Sequence, residues 1–413
     1  MKRLVLVLAL LICAVGFVTA APVELKFWYP TWWDGDNAPW VPFTEAFIKA
    51  NPGVKMTGTP YGDPAILDNL YIASASKTGP DMYFIWLGYQ QWPLVNAGFT
   101  KDITSYNKTY QWDKKLAKGA MDSVTYKGKI WGVPYCLQSM VFFARKDLLD
   151  KYNGGKIPQS MAELRAWGDR LNAAGKRLAT TASLDGWHLL RYTAMFIENY
   201  VGVDYMNKLI NLEGTWDTPK VVAALKELKL WGDKYFQPGF QGIKPGDSKI
   251  EFYNGNAAIE FEGAWNEDTL KTDGYGDLPV VAFPIPTDSK PWRLNSFPEQ
   301  ISVTTLCKNP DMAVKLADFW SLLDTQNTFR GNYSWTPAAI GFKWAADQPL
   351  HQAIADMQAK YGATPPWDGG LPMEFANVVY EVQDNVIAGK MTPEQGAKRL
   401  QQGMEEYKAK QKK

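Results

Sequence analysis

The sequence predicts an α/β protein with two lobes and a groove between them, and three observations lead to this prediction. Its 413 residues exceed what one hydrophobic core comfortably fills, so two domains are expected. Strand–helix–strand units recur along the chain, and such units are typical of parallel sheets. The stretch from Ile130 to Ala144 reads as extended chain and is far longer than a usual strand of about 5–6 residues.

This extended run predicts where the lobes join. Val, Ile and Phe dominate it, and Pro134 lacks the N–H that an interior strand must donate. The economical interpretation is two strands in two sheets, with Pro134 to Gln138 as the crossing between lobes. The alternative is one long edge strand with a bulge. A crossing of this kind forms a hinge, and the groove beside a hinge is a natural ligand site.

The elements of the first lobe follow from hydrophobic periodicity. A strand at Leu25–Tyr29, a helix at Phe43–Ala50 and a strand at Val54–Tyr61 form one unit. A helix at Ala65–Ser76 and a strand at Asp81–Trp86 form the next. Ligands bind beyond the carboxyl ends of the strands in such sheets, so the Trp-rich loops after these strands are expected at the groove.

The second lobe is predicted from its helices and one short strand. Ser160 and Thr392 are expected to cap two of the helices. The helices predicted for this lobe are Met161–Ala174, Ser183–Arg191, Pro219–Tyr235, Met373–Ala388 and Pro393–Ala409, while the helix predicted at Met312–Thr325 falls in the return segment of the first lobe. A turn and strand are expected at Phe252–Phe261, and Gln300–Cys307 is expected to be the return crossing. The predicted N-terminal lobe comprises residues 22–135 and 301–336, and the C-terminal lobe comprises 136–300 and 337–413.

The first 20 residues predict export. Lys2 and Arg3 precede a short apolar run, and small residues near Ala20 are suited to cleavage of a signal peptide spanning residues 1–20. We therefore expect a periplasmic or extracellular protein. A lipid anchor is not expected, because Ile12 rather than a small residue precedes Cys13. Cys136 and Cys307 could pair in an oxidising compartment, but two free thiols are the preferred expectation.

Composition excludes several classes of function. The 44 basic and 43 acidic residues nearly balance, which argues against a nucleic-acid or membrane-surface partner. Only His188 and His351 are present, so no histidine cluster for zinc exists. The chain contains no Gly-x-Ser-x-Gly, phosphate loop or dinucleotide fingerprint. We expect neither a cofactor nor a metal.

Five short motifs, in order, resemble those of a bacterial extracellular solute-binding protein of the carbohydrate-uptake type, the group that includes maltose-binding protein. They are Gly79–Asp81, Gly128–Pro134, Phe252–Trp265, Cys307–Pro310 and Gly389–Gln395. The resemblance covers nearly the whole chain after the signal peptide. It departs at Asn295–Gln300, where such proteins often carry a Gly-rich segment.

The resemblance implies a two-lobed periplasmic-binding-protein fold of type II, with a mixed, mainly parallel sheet flanked by helices in each lobe. The lobes would close on a sugar by hinge motion. The partners implied are a neutral sugar or oligosaccharide and the membrane-embedded permease of an ATP-driven (ABC) importer, with the binding protein itself a monomer.

Aromatic rings stack on the flat C–H faces of sugars, and carboxylate and amide groups bond the hydroxyls. Carried over by position, the resemblance points to these ligand-binding residues: Trp32, Trp33, Trp86, Tyr89, Gln90, Gln138, Asp185, Trp187, Trp265, Asn266 and Glu299. Trp335 and Trp367 are weaker candidates, since both flank proline and are suited to packing at the rim.

Other interpretations of these residues stay open. Trp33 and Trp86 could serve only lobe packing, Asp185 could only cap a helix, and Glu299 could be a hinge residue paired with a base. The main rival function is a secreted glycoside hydrolase, which needs two carboxyl groups about 5–10 Å apart; Asp185 and Glu299 are the pair it would use. A third class, an adhesion or peptide-binding module, would expose a flat aromatic patch.

Overall fold

The computed structural model describes residues 22–34, 39–62, 65–86 and 88–411, and the predicted signal peptide lies outside them. Within these ranges the fold is α/β, as predicted. No helix in the described part of the chain has the length and apolar character needed to cross a membrane.

Almost all of the strands belong to one mixed sheet. Its central order is β2-β1-β3-β10-β6-β8-β7, with β11 beside β10 and β9 beside β6, while β4 and β5 form a separate hairpin. The strands are β1 Val23–Pro30, β2 Val54–Tyr61, β3 Met82–Ile85, β4 Thr125–Tyr126, β5 Lys129–Ile130, β6 Val133–Arg145, β7 Arg177–Ala179, β8 Ala257–Gly263, β9 Val280–Phe283, β10 Arg293–Val303 and β11 Gly362–Thr364.

Helices cover both ends of this sheet. The α-helices are α1 Trp40–Ala50, α2 Ala65–Ser76, α3 Trp92–Asn96, α4 Asn107–Tyr110, α5 Trp112–Lys115, α6 Lys118–Ser123, α7 Lys146–Asn153, α8 Met161–Ala173, α9 Trp187–Val201, α10 Val203–Ile210, α11 Pro219–Lys234, α12 Pro245–Tyr253, α13 Asn266–Thr272, α14 Pro310–Ser321, α15 Leu323–Thr328, α16 Pro349–Lys360, α17 Trp367–Gly370, α18 Met373–Ile387 and α19 Pro393–Gln411. Short 3-10 helices occur at Thr31–Trp33, Gly88–Gln90, Thr104–Tyr106, Phe240–Gly242 and Arg330–Asn332.

Two predicted helix caps are confirmed. The Ser160 hydroxyl accepts a hydrogen bond from the backbone N–H of Glu163 at 3.2 Å, and α8 begins at the next residue. The Thr392 hydroxyl accepts from the N–H of Gln395 at 3.2 Å, while the Gln395 side chain accepts from the N–H of Thr392. Reciprocal bonds of this kind satisfy backbone donors that have no partner inside the helix.

The long extended run is one strand, so the predicted division into two strands at Pro134 is wrong. β6 continues through Gln138 and pairs antiparallel with β10. The register skips Tyr135, because Pro134 faces Gln300 while the residue after Tyr135 faces Glu299. This bulge is the feature that admits a proline into a paired strand. The alternative, one long edge strand with a bulge, is confirmed for the continuous strand and the bulge. Its edge position is wrong, because β8 and β9 flank the second half of β6.

Two hydrophobic cores divide the chain, even though the sheet is continuous. One core draws on residues 25–136 and 301–344, and the other draws on 140–297 and 367–404. β6 and β10 pass from one core to the other. The fold is therefore two-lobed, and the lobes share the two long strands; the exact lobe boundaries stay a prediction.

Candidate functional site

A large cleft lies over the crossing strands, between the two cores. Its volume is about 1360 Å³, and its floor includes Gln138 and Met140 of β6 with Phe297 and Glu299 of β10. Pockets for drug-sized ligands are usually about 300–1,000 Å³. The cleft therefore has room for a ligand larger than one sugar ring.

Most of the predicted site residues meet in this cleft. Those that line it are Trp32, Trp33, Trp86, Gln90, Gln138, Asp185, Trp187, Trp265 and Glu299. The other two, Tyr89 and Asn266, lie outside its lining. Burial raises the pKa of Tyr89, with a further contribution from Tyr126.

Trp32 and Trp33 point in different directions because they share one short 3-10 turn at the end of β1. The Trp32 side chain is 47% exposed, with its ring centre 5.8 Å from that of Trp86. Trp33 is 1% exposed and stacks on Trp320 at 4.7 Å inside the core. Trp32 and Trp86 therefore form the aromatic wall of the first lobe, while most of the Trp33 surface serves packing.

Trp187 begins helix α9 on the opposite wall. The guanidinium of Arg191, one turn later, lies 5.5 Å from the Trp187 ring centre and forms two hydrogen bonds to the Asp368 carboxylate, at 2.7 and 3.0 Å. Bidentate pairs of this kind fix both partners. The Arg191–Asp368 pair therefore supports the Trp187 ring from below, and this contact was not predicted.

Asp185 precedes α9 without capping it through its side chain. The capping position is Gly186, and no side-chain bond caps the helix. The Asp185 carboxylate is exposed and makes no hydrogen bond to any described residue. It remains available to a ligand hydroxyl.

Trp265 follows the end of β8 and is half-buried. Its indole N–H donates to Glu262 Oε2 at 2.9 Å, and its ring centre lies 6.3 Å from that of Phe297. The adjacent Asn266 is completely buried, where its side chain bonds Lys249 and Glu260 at 2.8 and 2.5 Å. Asn266 therefore holds buried charges in place and does not reach the cleft in this structure.

Glu299 lies at the bulge of the crossing strands and is 7% exposed. It accepts hydrogen bonds from the Tyr135 hydroxyl and from the Cys136 thiol, the latter at 3.6 Å. Burial raises the pKa of Glu299 to about 7, with the two hydrogen bonds opposing this shift. The expectation of a basic neighbour is wrong, since none of the described Lys, Arg or His side chains pairs with it. Cys136 and Cys307 are free thiols, as preferred.

Several other polar side chains of the cleft and its surroundings are paired with each other. Lys249 Nζ lies 2.9 Å from Glu262 Oε1, and the Asp268 carboxylate lies 2.8 Å from His351 Nε2. Burial by itself raises the pKa of Glu262, but Lys249 outweighs it and the net pKa is lowered. Among the residues that the structure describes, no group of three or more His, Cys, Asp or Glu is arranged to hold a metal.

Sequence reasoning undervalued the segment that closes the cleft beside the hinge. Tyr333, Ser334 and Trp335 line it, as do Asn377 and Tyr380 from α18. Trp335 had been a weak candidate, and it stacks on Tyr333 at 4.4 Å. Trp367, the other weak candidate, is fully buried. Only aromatic residues beside proline marked this region in the sequence.

Comparisons with known proteins agree with this geometry. An uncharacterized ABC transporter extracellular-binding protein of Pyrococcus horikoshii is 25% identical over 348 residues, covering 82% of this chain and 78% of that protein. The maltodextrin-binding protein MdxE of Bacillus subtilis is 22% identical over 286 residues, covering 66% of this chain and 64% of its own. A solved chitin oligosaccharide binding protein superposes with a TM-score of 0.81 at 20% identity, over 93% of this chain and 98% of that one.

The model of one protein family, described as bacterial extracellular solute-binding protein, matches residues 43–352. That range contains both crossing strands and most of both cores, so the match extends across the two lobes and the cleft between them. This chain therefore belongs to the bacterial extracellular solute-binding proteins.

Proposed function

We propose that this chain is the extracytoplasmic substrate-binding component of an ABC importer and that it binds a neutral oligosaccharide in the cleft. The observation that carries the proposal is the pair of aromatic walls, Trp32 with Trp86 on one side and Trp187 with Trp265 on the other. Amide and carboxylate groups lie between these walls. Aromatic rings that line both sides of a cleft suit a ligand that alternates apolar faces and hydroxyl edges.

The charges of the cleft favour a neutral ligand. Arg191 is paired with Asp368, and Lys249 is paired with Glu262. Each of these buried cations therefore already has a carboxylate as its counter-ion. Glu299 is about half protonated near neutral pH, because its pKa is raised to about 7. An anion that bound to Arg191 or Lys249 would have to break its ion pair, which costs several kcal/mol when the partner is left buried.

Stacking would come from the four tryptophans of the walls, and hydrogen bonds from Gln90, Gln138, Asp185 and Glu299. Only the edge of the Trp33 ring would be available to the ligand. Tyr89 and Asn266 have no direct role in this proposal. Closure of the two lobes would bury the ligand, with β6 and β10 bending near the bulge. The names of two similar proteins, a maltodextrin-binding and a chitin oligosaccharide binding protein, make short glucans and chitin oligosaccharides the first ligands to test.

Binding is tested with the mature protein, which we expect to be exported and monomeric, by titration calorimetry against maltotriose, triacetylchitotriose and their monosaccharides. The Trp32→Ala variant should weaken binding, while Trp292→Ala, which lies outside the cleft lining, should not. X-ray scattering should report a smaller radius of gyration with the bound sugar. No binding to any saccharide of a broad panel would refute the proposal.

The hydrolase alternative makes an opposite prediction. An importer component returns its ligand unchanged, whereas a glycosidase would release shorter sugars. Chromatography of labelled oligosaccharides after long incubation separates the two. Cleavage that disappears in Asp185→Ala or Glu299→Ala would establish the hydrolase and overturn the transport function.

A further inference from the structure

A buried lysine forms part of the cleft lining in the second lobe. Lys249 on α12 is 7% exposed. Its ammonium group lies 2.9 Å from Glu262 Oε1 and 3.8 Å from Glu260 Oε2, and it donates to Asn266 Oδ1 at 2.8 Å. An ammonium has three donors and no acceptor, and here two of them bond Glu262 and Asn266 while Glu260 lies at a longer distance.

Both carboxylate oxygens of Glu262 also have partners within the protein. It is 1% exposed, with Oε1 bound to Lys249 and Oε2 accepting the indole N–H of Trp265 at 2.9 Å. Although Glu262 borders the cleft, both of its oxygens already have partners inside the protein. A ligand hydroxyl would compete with a charge-assisted bond, which is roughly twice as strong as a neutral one.

The Trp265 ring is also held from beneath. It lies directly on the backbone of Gly263, where an added Cβ would come within 2.1 Å of the ring. The absence of a side chain at Gly263 is therefore what allows the ring to lie there. The N–H edge is fixed by Glu262 and one side by Gly263, which leaves the rest of the ring toward the cleft.

We propose that the Lys249–Glu262 ion pair is a positioning device that holds Trp265 ready to stack on the ligand. Trp265 touches the ligand, and Lys249 and Glu262 act through it. The inference rests on the proposed sugar-binding function. Holding the ring in its bound orientation before the ligand arrives removes the ordering cost that binding would otherwise carry. Lys249 thereby influences affinity through the position of Trp265.

The test is a double-mutant cycle on affinity for maltotriose and triacetylchitotriose. Glu262→Leu removes the acceptor of the indole N–H, whereas Glu262→Gln keeps an oxygen there and should restore most of the affinity. We expect Glu262→Leu to weaken binding about tenfold when Trp265 is present. In a Trp265→Phe background, which has a ring but no N–H, Glu262→Leu should have little further effect. Equal losses in both backgrounds would overturn the inference.

Two further measurements keep the inference testable if Glu262→Leu folds poorly or no saccharide binds. Gly263 has ordinary backbone angles, so Gly263→Ala should fold while displacing the ring; its control is Gly246→Ala, which has open space around it. In the free protein, the indole N–H signal that Trp265→Phe deletes should shift in Glu262→Gln and Gly263→Ala, but not in Gly246→Ala. An unmoved signal refutes the positioning role. A shifted signal without saccharide binding would refute only the sugar-binding function.

Discussion

Replacing Glu299 by glutamine should change how the stability of this protein depends on pH. Burial raises the pKa of Glu299 from 4.5 to about 7 in the folded chain. A carboxyl whose pKa is higher in the folded than in the unfolded state favours folding while it is protonated. Its contribution is therefore fully present below about pH 4.5, and it is lost as the pH rises toward about 7 and above.

The size of the effect follows from the shift. Each pKa unit corresponds to about 1.4 kcal/mol, so Glu299 should lower the free energy of unfolding by about 2 kcal/mol between pH 5 and pH 7. Glutamine does not titrate, but its oxygen can still accept from the Tyr135 hydroxyl. The free energy of unfolding of Glu299→Gln, minus that of the wild type, should thus rise by about 2 kcal/mol over this interval.

Urea denaturation of both proteins at pH 5, 6 and 7 measures this difference. Glu260, whose pKa burial also raises to about 7, contributes equally to both proteins and cancels in the comparison. The control is Glu45→Gln on the exposed face of α1, which should leave the pH profile unchanged. Parallel profiles for the wild type and Glu299→Gln would show that the Glu299 carboxyl is ionised or well solvated, and the reasoning would fail.

The remaining predictions concern the tryptophans and the thiols. Trp265→Ala should weaken saccharide binding at least tenfold, or about 1.4 kcal/mol, with little change in melting temperature; calorimetry showing unchanged affinity and a much lower melting temperature would make Trp265 a packing residue. Trp33→Ala should lower the free energy of unfolding by about 3–5 kcal/mol, because the ring is buried against Trp320; a loss below about 1 kcal/mol in urea denaturation would contradict this. A reducing agent should not change the melting temperature, because Cys136 and Cys307 are free; a clear decrease would reveal a disulfide.

The sequence predicted those parts of the fold that depend on local signals. The strand–helix–strand units and the caps at Ser160 and Thr392 follow from residue periodicity and from short-range hydrogen bonds, and the structure has them. Pro134 led to a wrong prediction because the energetic cost of a proline within a strand depends on how the neighbouring strand pairs with it. A bulge at Tyr135 removes that cost, and the pairing register that creates the bulge is set by β10, far away in sequence.

The candidate site was predictable where a strand end was recognisable. Trp32, Trp86 and Trp265 follow strands, and all three line the cleft. Trp33 and Asn266 each follow such a tryptophan by one position, and their side chains are buried instead. The sequence does not indicate the direction of a side chain within a turn.

The supporting charges were not predictable. Lys249 and Glu262 are separated by a turn and a strand, and Arg191 and Asp368 lie on helices far apart in the chain. No spacing rule connects either pair, so only the tertiary structure reveals that each cation faces a carboxylate. Each pair lies beside a tryptophan of the same cleft wall, Trp265 in one case and Trp187 in the other.

The arrangement explains how a cleft with many charged side chains can suit a neutral ligand. A buried cation left without a partner would attract anions, and a buried carboxylate left without one would attract cations. In this cleft Arg191 and Lys249 are paired with carboxylates, and Glu299, which has no basic partner among the described residues, is about half protonated near neutral pH because its pKa is raised to about 7. Lys244 and Arg330 also line the cleft. What remains for a neutral ligand is the faces of the tryptophan rings, the amides of Gln90 and Gln138 and the exposed Asp185 carboxylate. Those are the features that recognise the apolar faces and hydroxyl edges of a saccharide.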